Sequence, residues 1–215
     1  MISTTGAQQA ADWHEPLQLQ GFGLTLSPLR LADAADFLAA LGPPETAAEV
    51  LAHLTYGPPA DVAEATKIIS AAVADQDRVA YAQRLTDTGE LVGTTSYYDI
   101  DESLRTLAIG HTWIARRQWR TFVNTASKLI MMGHAFDDLG VERLVWHTDI
   151  RNTRSQAAIA RLGATREGVL RHHRIRRDGS WRDTVQFSML SAEWPSARRR
   201  LSANLQSRSD QDIDA

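Results

Sequence analysis

Hydrophobic positions recur along this chain with two periods, and the switches between them divide it into elements. Leu24 to Arg30 (LTLSPLR) alternates with period two, as a strand does, and Pro28 marks it as an edge strand or an early stop. Asp33 then caps a short helix through Leu41, ended by Gly42-Pro43-Pro44. After a second break at Gly57-Pro58-Pro59, Asp61 caps a helix in which Ala65, Ile68, Ile69 and Ala72 share one face. From Val79 the period returns to two. The runs VAYAQRL, LVGTTSYY and RTLAIGHTWI, joined by turns at Asp87–Glu90 and Asp99–Ser103, predict an antiparallel meander.

Beyond Trp119–Asn124, Ala126, Leu129, Ile130, Gly133 and Phe136 fall on one face of a helix that Gly140 closes as a left-handed cap. RLVWHTD is a strand, Asn152 caps a helix over Thr153–Leu162, and Gly163 ends it. A β-hairpin follows, Gly168–Arg176 and Arg182–Leu190 around Asp178-Gly179, and then a basic, peripheral helix from about Glu193 to Leu205. The order predicts an α+β sandwich-like domain with a mixed, mostly antiparallel sheet flanked by helices. A strand–helix–strand step after a meander implies one parallel pairing, and a ligand crevice is expected at that reversal. Residues 1–14 read as a flexible tail, 15–195 as the domain, and 196–215 as the basic helix and a disordered tail.

Charge sharpens this picture. The formal net charge is −3, yet the first 90 residues hold 12 acidic and 4 basic side chains and the next 100 hold 15 basic and 10 acidic. The cationic half suits a polyanionic ligand, and its arginines suit phosphate, because a guanidinium offers a bidentate fork. The acidic half suits a cationic amine. The absence of cysteine excludes a disulfide framework, a thiolate zinc site and a cysteine nucleophile. The start lacks the basic flank and apolar stretch of a signal peptide, and no run reaches membrane-span length, so a soluble, cytoplasmic protein is expected.

Two segments carry candidate chemistry. In Arg116–Lys128 (RRQWRTFVNTASK) a strand gives way to a helix, whose free N–H groups and positive dipole end can cradle a phosphate, with Arg116, Arg117 and Arg120 around the entry. In Thr148–Gly163 (TDIRNTRSQAAIARLG) Asn152 is at the N-cap, and Ser155 shares the sheet-packing face with Ala158, Ile159 and Leu162. The bland alternatives are solvated arginines on a capped helix, and a serine that bonds a first-turn amide.

Together these segments, with IGHTWI, HAFDDLG, EGVLR and RDTVQFSML in that order, resemble the GNAT acyl-CoA N-acyltransferases, in particular the branch with the ribosomal-protein N-terminal alanine and serine acetyltransferases. The resemblance spans about Leu91 to Leu190 and implies a V-splayed sheet that holds acetyl-CoA. It implies pantetheine against the backbone of Trp113 and Ile114, and pyrophosphate on the loop and helix start that include Arg117, Trp119, Arg120, Thr121, Phe122, Val123 and Asn124. It implies cofactor contacts at Asn152 and Ser155, with Ser155 protonating the departing thiolate. The chain departs from the pattern where the family's pyrophosphate loop has two small residues, since Arg120 and Phe122 stand there.

The family's carboxylate base is unmatched beside Arg174. His172 and His173 are neighbours on a strand, with His173 taken as the base; Asp99, Asp101 and Glu102 are further candidates. His14, His53, His111, His134 and His147 lack metal-site spacing, so no metal is expected. The expected activity is acetyl transfer from acetyl-CoA to a primary amine, a protein N-terminus or a small molecule, by direct attack in a ternary complex. Open alternatives are an antibiotic or other small-molecule N-acetyltransferase, a longer acyl donor such as succinyl-CoA, a CoA-binding protein without turnover and, less favoured, a nucleic-acid binder using the hairpin RHHRIRRDGSWR. A homodimer is compatible with all but decided by none of these residues.

Overall fold

The structure, a computed structural model, describes residues 12–213. Its frame is one sheet of eight strands in the order β1-β2-β3-β4-β5-β6-β8-β7. These are β1 (Leu19–Gly21), β2 (Leu24–Pro28), β3 (Arg78–Leu85), β4 (Leu91–Asp101), β5 (Thr106–Ile114), β6 (Arg143–Asp149), β7 (Thr165–Ile175) and β8 (Trp181–Leu190). Every neighbouring pair is antiparallel except β5 and β6, the one parallel pairing that the element order implies. The helices are α1 (Ala34–Leu41), α2 (Pro44–Val50), α3 (Val62–Ala74), α4 (Val123–Gly133), α5 (Thr153–Leu162) and α6 (Trp194–Ile213).

Alternation along β3 divides the interior. Val79 and Tyr81 join a cluster with Val123, Met131, Ile159 and Leu201, from α4, α5 and α6. Ala80 and Ala82 join another with Phe37, Val50 and Ile69, from α1, α2 and α3. Sheet and helices thus form three layers, each apolar face covered. Among the described residues no helix is long and apolar enough to cross a membrane.

Three caps follow the sequence reading, whereas Asp33 accepts the Arg30 amide and gives α1 no side-chain cap. Asp61 accepts the Glu64 amide at the start of α3, Asn152 accepts the Ser155 amide at the start of α5, and Gly163 ends α5 in the left-handed region at φ 98°. Other expectations change or narrow. β2 stops at Pro28, one of the two readings, but it is not an edge, because the short β1 pairs with it through a turn at Phe22 and Gly23, both at positive φ. α1 ends at Leu41 with Gly42 after it, as expected, but Pro44 also begins an unexpected helix, α2, where its fixed φ suits a first turn. α4 stops at Gly133 and continues as a wider π turn over His134–Asp138 before Gly140 closes the segment at φ 70°. α6 runs to Ile213 and is no peripheral appendage, since it buries Trp194, Ala197, Leu201 and Leu205. Of the expected tail, residues 1–11 lie outside the described residues, and Trp13 is buried in the core.

Candidate active site

β5 and β6 pair only from Thr106↔Arg143 to Ala108↔Val145. Beyond that, β5 stays with β4 as far as Ile114↔Gly93, while β6 stays with β8 as far as Asp149↔Thr184. The two strands therefore diverge, and their facing edges carry no ladder partner, a V-shaped opening with free backbone groups. The cause is a bulge. Between Gly110↔Ser96 and Trp113↔Thr94, His111 and Thr112 together oppose Thr95, and His111 takes φ 49°. Such an extra residue bends and twists the strand. It also reverses the parity, so that Ile109 packs with α4 and Trp113 packs with α1–α3.

The sequence-chosen residues gather at the mouth of this opening, though not all face it. Trp113 is turned away; its indole meets Phe37 edge-on at 4.9 Å and its carbonyl accepts from Gln83 Nε2. Ile114 lies at the mouth, its carbonyl accepting from Trp119 Nε1 at 2.8 Å. Arg117 is bound to Glu90 and to the Ala40 carbonyl, which points it back towards α1. Arg120 adopts φ 66°, so the position where the family has a small residue keeps a glycine-like backbone despite its side chain. Phe122 begins α4 without any side-chain cap, Thr121 Oγ1 bonds the Gln118 carbonyl and weakly the Val123 amide, and Asn124 lies in the first turn. The N-terminal amides of α4 thus face outward with little internal competition, which suits an anion.

Across the opening, the Asn152 Oδ1 is occupied as the α5 cap, leaving its amide nitrogen free, and the half-buried Ser155 hydroxyl makes no hydrogen bond among the described residues. Trp119 joins the two sides. The Arg154 guanidinium from α5 lies 3.5 Å from its ring centroid and that of Arg116 at 4.5 Å.

Deeper in, on the α1–α3 side, is a polar cluster that the sequence reading did not assemble. Tyr98 Oη lies 3.0 Å from His147 Nδ1, and His147 Nε2 lies 3.1 Å from Gln186 Oε1. Gln186 gives its amide hydrogen to Glu167, which Arg143 grips with both nitrogens, so Gln186 must accept from His147. That assigns the proton to Nε2 and leaves Nδ1 to accept the tyrosine hydroxyl. Gly110 makes room for the ring: a Cβ there would stand 2.6 Å from the Tyr98 side chain. His111 meets Tyr98 edge-on, and His173 lies 5.7 Å from His147, ring centre to ring centre.

Burial pushes His111 down to about 4 and also lowers His147 and His173, with neighbouring arginines acting in the same direction. All three rings are therefore neutral at pH 7 and able to accept a proton. The neighbouring histidines separate as expected, His173 inward with a buried, unpartnered Nδ1 and His172 outward, stacked on Trp181. The reason is not simple alternation, since His172 sits in a bulge at φ 48°. Of the carboxylates in the earlier turn, Asp99 comes within 3.9 Å of His147, whereas Asp101 is occupied by Ser103 and the Leu104 amide and Glu102 stays exposed.

His147 was legible in principle, one residue beyond the core-facing Trp146 and hence on the opposite face; judging the histidines by metal spacing alone passed over it. Among the described residues, no group of three histidine or acidic side chains is arranged to hold a metal.

Residues 23–165 match the Acetyltransferase (GNAT) domain profile. YdaF of Bacillus subtilis (strain 168), which carries the provisional name ribosomal N-acetyltransferase, is 30% identical over 106 residues, 49% of this chain; the match spans 57% of that relative's length. A GCN5-related N-acetyltransferase from Brucella melitensis superposes with a TM-score of 0.84 at 27% identity, covering 89% of this chain and 86% of the other. Mycobacterium smegmatis RimJ, solved with CoA-disulfide, does so with a TM-score of 0.70 at 25% identity, covering 89% and 95%. With the profile matched over most of the splayed sheet and both helix starts at its mouth, this chain belongs to the GNAT acetyltransferase family.

Proposed function

We propose that the protein transfers an acetyl group from acetyl-CoA to a primary amine, by direct attack within a ternary complex. The observation that carries this reading is the divergence of β5 and β6 beyond Ala108 and Val145, with the uncapped start of α4 at its mouth. Unpaired strand edges supply hydrogen bonds for the pantetheine amides, and the α4 amides supply them for the pyrophosphate. The donors at this end are the backbone amides between Arg117 and Asn124 that Gln118, Trp119, Thr121 and Val123 do not already commit to internal acceptors, the Asn152 amide nitrogen and the Arg154 guanidinium stacked on Trp119; Arg116, on the same ring, is paired through its Nε with Glu49. Arg117, held by Glu90, contributes through its backbone. CoA binding by the relative RimJ supports the same use of the opening.

Acyl transfer needs three events here. The amine must lose a proton, and His173, neutral with an unpartnered Nδ1, takes it. The amine must stand against the thioester carbonyl, whose developing charge backbone N–H groups of the bulged strand stabilise. The thiolate must be protonated as it leaves, and the Ser155 hydroxyl, without a hydrogen-bond partner among the described residues, donates and regains its proton from solvent. The Tyr98–His147–Gln186–Glu167 chain holds the wall beside His173 and fixes the tautomer of His147.

Turnover is read as free thiol released from acetyl-CoA over a panel of amines, and a chain with no cysteine adds no background. Ser155→Ala is expected to lower kcat about 100-fold with little change in CoA affinity, the scale of a lost proton donor. Unchanged kcat removes Ser155 from the mechanism. Failure of CoA to raise the melting temperature removes the acyl-transfer reading itself.

A further inference from the structure

Arg174 and Arg182 stand opposite each other as a cross-strand pair of β7 and β8. Like charges so placed repel, and a sheet ordinarily sets a cation opposite an acid. Among the described residues neither arginine forms an ion pair, and the Arg182 Nε is closed off from solvent without a hydrogen-bond partner. Burial lowers the pKa of Arg182, and the charge of nearby Asp149, which pulls the other way, does not offset it.

Acids are close by but committed elsewhere. Asp149 is held by two nitrogens of Arg176, and Asp183 accepts the His172 amide. Asp99, half exposed, lies beside His147, and Asp75 acts on Arg78. Arg78 adds a third cation on the same side of the sheet, its Nε bonded to Ser96 Oγ. The charges of Arg78, Arg174 and Arg182 all bear on His111, and those of Arg174 and Arg182 bear on Tyr98, His147 and His173. The side of the crevice that holds these histidines is thus cationic, against the sequence-based expectation that acidic side chains would meet the acceptor. An unpaired, partly desolvated guanidinium such as that of Arg182, facing a second cation, is costly unless an anion arrives to pair with it.

We propose that the acceptor is a primary amine that also carries a carboxylate or phosphate, which Arg174 and Arg182 bind so that the amine faces His173. This rests on the acyl-transfer reading and narrows its substrate class. It excludes polyamines as good acceptors, since their second cation would meet the arginines.

The test uses matched acceptors: β-alanine against its methyl amide for the carboxylate, and O-phosphoethanolamine against ethanolamine for the phosphate. Wild-type protein is expected to favour the anionic member of at least one pair by about tenfold or more in kcat/KM, and the favoured pair identifies the anion. In R174Q/R182Q that preference is lost through a higher KM, with kcat and the thermal shift caused by CoA little changed. The exposed single variant R174Q shows part of the same effect and guards against a folding defect. Calorimetry of the CoA-loaded protein with both anionic amines reads binding without turnover. Equal use of both members of each pair, a preference that survives in R174Q/R182Q, or anion binding unaffected by it overturns the proposal. Anion binding lost in the double variant, in a protein that transfers no acetyl group, overturns the acyl-transfer reading and leaves the arginine site standing.

Discussion

Lys128 is a cation that α4 turns inward, where the sheet offers it no anion. Its Nζ lies 3.0 Å from Thr95 Oγ1 and 2.8 Å from Thr112 Oγ1, and the two hydroxyls are themselves 2.8 Å apart. The side chain therefore ties α4 to the β5 bulge, beside His111. Burial pushes its pKa from the usual 10.5 down to about 7. Between those values the unfolded chain holds more protons than the folded one, so stability climbs as pH rises through that window and is lowest at and below neutral pH. Lys128→Met is expected to stabilise the protein at pH 7 by on the order of 2–4 kcal/mol, and less towards pH 10. Urea unfolding at both values reads this, and an equal gain at both would show that the charge of Lys128 is not the cause. In the sequence Lys128 is only the last residue of the strand-to-helix segment; the packing alone shows that its ammonium is buried against Thr95 and Thr112.

The stretch into α4 shows what an element demands of its residues. Arg120 occupies the left-handed region at φ 66°, where an L side chain costs roughly 1–2 kcal/mol. Arg120→Gly is expected to raise stability by about 0.5–1 kcal/mol, the strain relieved less the greater freedom of glycine in the unfolded chain. The melting temperature measures this; a fall would mean that the arginine side chain holds the loop. Elements with chemical punctuation were legible. Asp61, Asn152 and Gly163 mark the ends of α3 and α5 because each meets a backbone group that the helix leaves open. β1 was not legible, since a run of three residues is too short to display a period, and α2 was hidden because Pro-Pro reads as a stop although Pro44 is a start.

At the scale of the whole molecule, the β7–β8 hairpin is fastened to the end of β6 by Arg176, whose Nε lies 2.6 Å and Nη2 2.9 Å from the Asp149 carboxylate, itself 4% exposed. Burial works to raise the Asp149 pKa, but Arg176 and the Arg151 amide outweigh it and hold the group below its usual value. That contribution is present above the unfolded pKa and lost as pH falls through the lower folded one. Asp149→Asn is expected to speed amide exchange in residues 170–182 by about tenfold or more at pH 7, the scale of one charge-assisted bond, and to spare α1–α3. Exchange that accelerates equally everywhere would mean that Asp149 supports the whole fold and not the hairpin. The sequence by itself determined the α+β order apart from β1 and α2, the single parallel step, the helix starts that face the opening and the uneven division of charge. These rest on local periods, caps and composition, which neighbouring residues decide among themselves. Only the tertiary structure decided where β5 leaves β6, that Trp113 faces away from the opening, that Tyr98, His147 and His173 meet, and that Arg174 and Arg182 stand opposite each other beside them. Each depends on bulges at Asp99, His111 and His172, where one residue at positive φ resets the parity of all that follow, and on packing between segments far apart in the chain.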